Sequence, residues 1–286
     1  MYLYISYYTR TIRYNIPNQV DKKNGSGKHI VRAQWKGDRI VYDFKDKTYL
    51  ITGGTSGMGL AAAKQISNGG GRVTITGLDP QRLHTARQEL GSDSVVLEND
   101  SGSPTTGTDL ARHVEKFGRL DGLWLNAAIA RIGPVEEITV STYNQIMDIN
   151  VRGPILQLAA LSALLKDNSS VVVTASSSVY EGAAATSLYA ASKGALVAIA
   201  RSWASALAPR GIRVNTLVPG PISTNLRSFL PDEARSEFEN FVVNQVPLQR
   251  VGTSEEAAAV AMFLLSNASS YVTGSQYAVD GGLIMR

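Results

Sequence analysis

The feature that most constrains this chain is an alternation. From Tyr42 onward, short apolar runs take turns with longer amphipathic stretches. Candidate strands cover 48–52, 72–76, 94–98, 122–126, 170–175, 213–217 and 277–279. Candidate helices lie between them at 58–68, 80–90, 109–117, 142–165, 187–208 and 254–265. Strands that alternate with helices imply crossover connections, hence a parallel sheet covered on both faces. The expected fold is therefore a single α/β domain, a doubly wound and mostly parallel seven-stranded sheet in a three-layer α/β/α sandwich of the Rossmann type. No internal repeat and no second-domain boundary interrupts it.

The first 41 residues have a different texture. They are rich in tyrosine (Tyr2, Tyr4, Tyr7, Tyr8, Tyr14), lack helical periodicity and pass through the polar run Asp21-Lys22-Lys23-Asn24-Gly25-Ser26-Gly27-Lys28. We divide the chain into an N-terminal extension, 1–41, expected to be poorly ordered and without chemistry, and the α/β domain, 42–286. A secretory signal would need a continuous apolar segment with a small-residue cleavage site, which this stretch lacks. Arg10 and Arg13 precede any acid, so a transit peptide and upstream sequence brought in by a misassigned start both stay open.

A pI near 9.2 suggests a nucleic-acid partner until the charges are placed. Residues 1–40 hold eight Lys/Arg against two Asp, a balance of +6, so the rest carries 4 − 6 = −2. The basicity belongs to the extension, and no nucleic-acid partner is expected. No apolar run approaches the roughly 18 residues that cross a bilayer, so we expect no membrane partner and a cytoplasmic location. With no cysteine, disulfides, thiolate catalysis and cysteine-ligated metals are excluded. His29, His84 and His113 are scattered without ligand spacing, so no metal is expected.

Two local patterns carry chemistry. Directly after the first strand of the domain, Thr52-Gly53-Gly54-Thr55-Ser56-Gly57-Met58-Gly59 opens a helix. Gly53, Gly57 and Gly59 let the backbone turn tightly and approach a pyrophosphate, and the helix N-terminus offers amides and a positive dipole end to phosphates. Further on, Tyr189 and Lys193 stand four apart in a helical pattern, so phenol and ammonium share one face. A phenol with a pKa of about 10 is a poor proton donor near neutrality, and a neighbouring cation lowers that value. Ser176 ends an apolar run thirteen residues before the tyrosine, where its hydroxyl could hold the oxygen whose proton the tyrosine moves.

With TGxxxGxG, Leu125-Asn126-Ala127-Ala128, Asn150-Val151-Arg152-Gly153, Ser176, YxxxK and Pro219-Gly220-Pro221-Ile222-Ser223-Thr224 in this order, the chain from about Asp43 to its end resembles a single-domain short-chain dehydrogenase/reductase. The resemblance implies a catalytic tetrad of Asn150, Ser176, Tyr189 and Lys193. It implies dinucleotide contacts from Gly53, Thr55, Ser56, Gly57, Met58 and Gly59, from Gly77, Leu78 and Asp79, and from Asp100. It extends them to Asn126, Ala127, Ala128, Tyr189, Lys193, Pro219, Gly220, Ile222 and Thr224. Two departures stand out. Leu125 and Ala128 replace Asn and Gly of the family's NNAG. At the end of the second strand, Gly77 and Leu78 occupy the places where NAD users commonly have an acid and NADP users an arginine. Asp79 next to them could bind the ribose or cap the helix that starts at Pro80. The cofactor is expected to be NAD(P)(H), with a slight lean to NADP(H).

The activity so implied is interconversion of a ketone or aldehyde with an alcohol, Tyr189 acting as general acid/base. Lys193 would lower the tyrosine pKa and bind the ribose, Ser176 would hold the reacting oxygen, and Asn150 would keep a water in a relay towards Lys193. The partner is a small carbonyl or alcohol compound. Specificity should lie between 222 and 250, a candidate lid in which Leu226, Phe229, Leu230 and Phe241 could line an apolar pocket or pack the lid on the body. Val179, Tyr180 and Glu181 are placed at the pocket rim. The resemblance also implies a homo-oligomer, a tetramer or a dimer. Reduction of 3-oxoacyl groups on acyl carrier protein is an alternative, for which Arg131 would be a docking cation. A catalytically silent dinucleotide sensor is an alternative of another class, opposed by the presence of all four tetrad residues.

Overall fold

The computed structural model describes residues 2–7, 10–15, 42–92, 94–227, 233 and 241–285. The chain falls into two units, Met1–Val41 and Tyr42–Arg286. In the first, β1 (Tyr2–Tyr7) and β2 (Arg10–Asn15) pair antiparallel, an element not anticipated from the sequence. The remainder of the extension lies outside the described residues.

The second unit holds a seven-stranded sheet of β3 (Thr48–Ile51), β4 (Arg72–Gly77), β5 (Val95–Glu98), β6 (Leu120–Leu125), β7 (Leu165–Thr174), β8 (Arg213–Pro219) and β9 (Gln276–Val279). The spatial order is β5-β4-β3-β6-β7-β8-β9, and every pair in it is parallel. The chain starts at the middle, runs outward to β5, then crosses back to β6 and runs outward the other way. The β3/β6 boundary is therefore the switch point, and a crevice opens beyond the carboxyl ends of the strands there.

Strand side chains alternate between the two faces, so each strand feeds two cores. Tyr49, Ile51, Val73, Ile75, Trp124, Val172 and Leu217 pack with α1 (Gly57–Asn68), α2 (Pro80–Leu90) and the late helix Ser254–Leu265. Leu50, Leu123, Leu125, Val171, Val173 and Val214 pack on the other face with α3 (Thr106–Val114), the helical stretch around Leu158 and Leu161, and the long helix Ser187–Leu207. The small residues Ala61, Ala62, Ala63, Ala258 and Ala261 bring α1 and the late helix close together over the sheet.

One expected element needs correction. The stretch 142–165 is not one α-helix. It divides into α4 (Val140–Met147), a π turn (Asp148–Arg152), α5 (Gly153–Leu161) and a 3-10 turn (Ser162–Leu164), and Leu165 already begins β7. At this point Gly153 lies against Ser101, where an added Cβ would stand 2.3 Å from the Ser101 carbonyl oxygen. Pro154 follows, without an amide hydrogen for the helix ladder. Two further helices complete the set described here, α6 (Ser178–Glu181) and α7 (Ser187–Leu207); Ser254–Leu265 is α8.

Candidate active site

A cleft of about 480 Å³ opens at the switch point. The ends of β3, β4, β5, β6, β7 and β8 and the first turns of α1 and α7 contribute to its walls. Its floor is the glycine turn. Gly53 has a φ of 64°, in the left-handed region that glycine adopts freely. A Cβ there would stand 2.8 Å from Ala127 Cα, so the turn lies directly on the loop after β6. Thr52 Oγ1 accepts the N–H groups of Asn126 (3.0 Å) and Ala127 (3.1 Å), and Asn126 Nδ2 donates to Gly53 O at 3.1 Å. Trp124 Nε1 donates to Thr174 Oγ1 at 2.8 Å, which in turn donates to Asn126 Oδ1 at 3.1 Å. Asn126 thus joins the turn to the end of β7.

At the start of α1, Ser56 makes no side-chain cap and the first turn carries no acid. An uncapped helix end with a positive dipole, facing a cleft and preceded by glycine, fits the pyrophosphate of a dinucleotide. Gly59 does not line this cleft. It is where α1 meets the turn, with an added Cβ only 2.7 Å from Gly53 O and 2.9 Å from Gly54 Cα. Its role is to allow close packing.

Beyond β4, Gly77, Leu78, Asp79 and Arg82 line the cleft, and Leu78 is half exposed. Asp79 Oδ1 accepts the Arg82 N–H at 2.8 Å as the N-cap of α2, and Arg82 Nε lies 3.9 Å from the other carboxylate oxygen. Asp100 also lines the cleft, its Oδ1 accepting the Gly102 N–H at 2.8 Å.

At the opposite end Ser176, Tyr189 and Lys193 come together in the same cleft. Lys193 is 1% exposed, its Nζ donates to Thr174 O at 2.9 Å and lies 5.9 Å from the centroid of the Tyr189 ring. Burial of the ammonium pulls its pKa down from 10.5 to about 7. Ser176 Oγ accepts the Ser178 N–H at 3.2 Å, which leaves its own hydroxyl proton to be given elsewhere.

Asn150 is fully buried and does not line the cleft. Its Oδ1 accepts the Ile129 N–H at 2.9 Å, and Nδ2 donates to Ile129 O at 2.9 Å and to Ser192 Oγ at 3.1 Å. Ser192 Oγ donates to Tyr189 O at 2.7 Å. Both amide hydrogens are therefore used to tie the loop after β6 to the first turns of α7, the helix that carries Tyr189 and Lys193.

The remaining expected residues, Thr55, Met58, Ala128, Pro219, Gly220, Ile222 and Thr224, line the cleft with Ser56, Gly57 and Ala127. Thr76, Asn99, Ser101, Ile132 and Leu283 line it too and were not anticipated. Of these, Thr76 had a legible signal, a hydroxyl near the end of an apolar strand. Leu283 had none, since it reaches the site only through the return of the chain after β9. Glu181 lines the cleft as expected, whereas Tyr180 hydrogen-bonds through its phenol to Gln276. Leu226 lines it, Phe241 is 65% exposed, and Phe229 and Leu230 lie outside the described residues.

Comparison with known proteins gives the family. A family model described as enoyl-(acyl carrier protein) reductase matches residues 53–284. The chain is 37% identical over 244 residues to the oxidoreductase asL5 of Sarocladium schorii, covering 83% of this chain and 95% of that one. It is 32% identical over 247 residues to 2-(S)-hydroxypropyl-CoM dehydrogenase 3 of Xanthobacter autotrophicus, covering 84% and 97%. Among solved structures it is similar to a blue fluorescent protein from a metagenomic library in complex with NADPH. The TM-score there is 0.78 with 30% identity, covering 84% of this chain and 99% of that one. The chain belongs to the short-chain dehydrogenase/reductase family. It is an NAD(P)-dependent oxidoreductase that interconverts carbonyl and alcohol groups. No helix among the described residues is long and apolar enough to cross a membrane.

Proposed function

We propose that the protein reduces a small ketone, or oxidises the corresponding secondary alcohol, with Tyr189 as the general acid/base and NADP(H) preferred. The observation that carries this reading is the meeting of Ser176, Tyr189 and Lys193 in one cleft with an uncapped, glycine-lined helix end. When bound, the dinucleotide supplies or accepts the hydride. The residues that would hold it are those of the glycine turn, Asn126, Ala127, Lys193 and the 219–224 turn. Tyr189 gives a proton to the carbonyl oxygen in reduction and takes it back in oxidation. Ser176 donates a hydrogen bond to the same oxygen and keeps its proton, polarising the carbonyl and fixing its place. Lys193, held by Thr174 O, favours the phenolate when charged. Asn150 acts as a positioning residue, because its amide is committed to Ile129 and Ser192.

The lean to NADP(H) rests on the α2 end of the cleft. Asp79 is engaged as a helix cap, which turns its carboxylate towards its own backbone, and Arg82 offers a cation beside it. Ile132, Ile222, Leu226, Val242 and Leu283 line the same cleft and support an apolar substrate body. Arg131, on which the acyl-carrier alternative leaned, donates to the adjacent Ala130 O at 2.9 Å, so we keep that alternative second. Val140 and Tyr143 are exposed on α4, a face suited to a homo-oligomer. We assign the protein to the cytoplasm on its sequence features. A side-by-side fluorescence titration with NADH and NADPH tests the cofactor reading. NADPH tighter by about tenfold, 1.4 kcal/mol, is expected; tighter NADH would overturn it.

A further inference from the structure

The phosphate turn and the end of β4 interlock at one point on the wall of the cleft. A Cβ added to Gly77 would stand 2.4 Å from Thr55 Oγ1, 2.7 Å from Thr55 Cγ2 and 3.1 Å from Thr55 Cβ. Contacts below 3.0 Å do not occur for real Cβ atoms, so the Thr55 side chain fills the space where any side chain at 77 would begin. Rotation about χ1 does not clear it. A β-branched residue fills two of its three staggered positions in every rotamer, and both filled positions are in conflict here.

Nor can the loop swing away. Gly54 N–H donates to Thr76 O at 2.9 Å and Gly53 N–H to Thr76 Oγ1 at 3.3 Å, clipping the turn to β4 immediately before the contact. Gly54 itself sits so close that an added Cβ would lie 2.6 Å from Ile75 Cβ. Thr55 is buried and lines the cleft together with Gly77.

We infer that Thr55 is a specificity-determining residue. By occupying the room beside Gly77 it bars a carboxylate at the end of β4 and sets a neutral hydroxyl there instead. The ribose 2′ position then meets no fixed negative charge from β4, and Arg82, which lines the cleft beside Asp79, is a cation that can meet a 2′-phosphate. The inference rests on the dinucleotide reading above. It makes a claim that reading does not: the absence of an acid at 77 is enforced from position 55, so changing 77 alone cannot install NADH recognition.

The test is a double-mutant cycle on the full chain with Gly77→Asp, Thr55→Gly and both together, read by melting temperature without cofactor and by fluorescence titration with NADH and NADPH. Gly77→Asp alone is expected to lower the melting temperature and to gain no NADH affinity. Adding Thr55→Gly should recover melting temperature and tighten NADH by at least about tenfold relative to Gly77→Asp, while NADPH weakens. If Gly77→Asp is too unstable to purify, Gly77→Ala with and without Thr55→Gly reads the same contact through melting temperature. Additive effects, or NADH affinity gained by Gly77→Asp alone with no loss of stability, would overturn the inference. Failure of the wild type to bind either dinucleotide would remove the reading beneath it, and the melting-temperature arm would still score the interlock.

Discussion

The two ends of the cleft are built on different principles. The phosphate end is made of backbone: Gly53 and Gly59 bring chain segments so close that one methyl group would collide with a carbonyl or a Cα. The proton-transfer end is made of side chains, with Tyr189 and Lys193 arriving from α7 and Ser176 from the loop just past β7. The first end should therefore be sensitive to added volume whatever its chemistry. The second should be sensitive to chemistry at nearly constant volume. Asn126 and Asn150 join the two, each holding a loop by its amide.

The sharpest break in this comparison is Tyr189→Phe. It removes one oxygen and leaves the ring, so dinucleotide affinity should hold while kcat falls by about 10²–10⁴-fold. Steady-state rates beside a binding titration read both. Retained turnover would mean that the proton comes from another group.

Lys193→Met probes the same end through stability. The folded pKa of Lys193, about 7, lies below the unfolded value of 10.5. Below pH 7 both states hold the proton, and folding carries the full cost of burying the charge. Between pH 7 and 10.5 the unfolded chain binds the extra proton, so this contribution to stability rises with pH and the penalty is gone above that window. The melting temperature of the cofactor-free wild type minus that of Lys193→Met should thus climb from pH 7 towards 10.5. A flat or falling difference would show that the ammonium is not penalised in the fold.

At the backbone end, Gly59→Ala adds one methyl against Gly53 O. Overpacking of this kind costs about 1–3 kcal/mol, which in a domain of this size lowers the melting temperature by roughly 2–4 °C per kcal/mol. Dinucleotide affinity should fall, with kcat at saturation kept. Full stability together with full affinity would show that the turn has slack that its distances do not suggest. The smallest effect is expected from Asp79→Ala, which loses an N-cap worth about 1 kcal/mol. The NADPH-to-NADH affinity ratio should hold in this variant. A selective loss of NADH would return Asp79 to the ribose.

Much of this site was legible before any coordinates, and the reason is spacing. Gly53, Gly57 and Gly59 announce a turn because they sit between an apolar strand and a helical run. Tyr189 and Lys193 announce a shared face because four residues make about one helical turn. A single helix over 142–165 is expected because its composition is helical throughout, whereas Pro154, with no amide hydrogen for the ladder, stands where the π turn Asp148–Arg152 passes into α5.

What the sequence by itself determined was the order of elements, the parallel sheet and the glycine-lined turn that opens α1. All of these are written in neighbours a few positions apart. Tertiary structure alone decided that Asn150 spends its amide on Ile129 and Ser192, that burial weakens the hold of Lys193 on its proton, and that Thr55 closes the space beside Gly77. Each of these depends on segments distant in the chain that only the packed sheet brings within 3 Å or so of one another. Such contacts have no period and leave no local pattern to read.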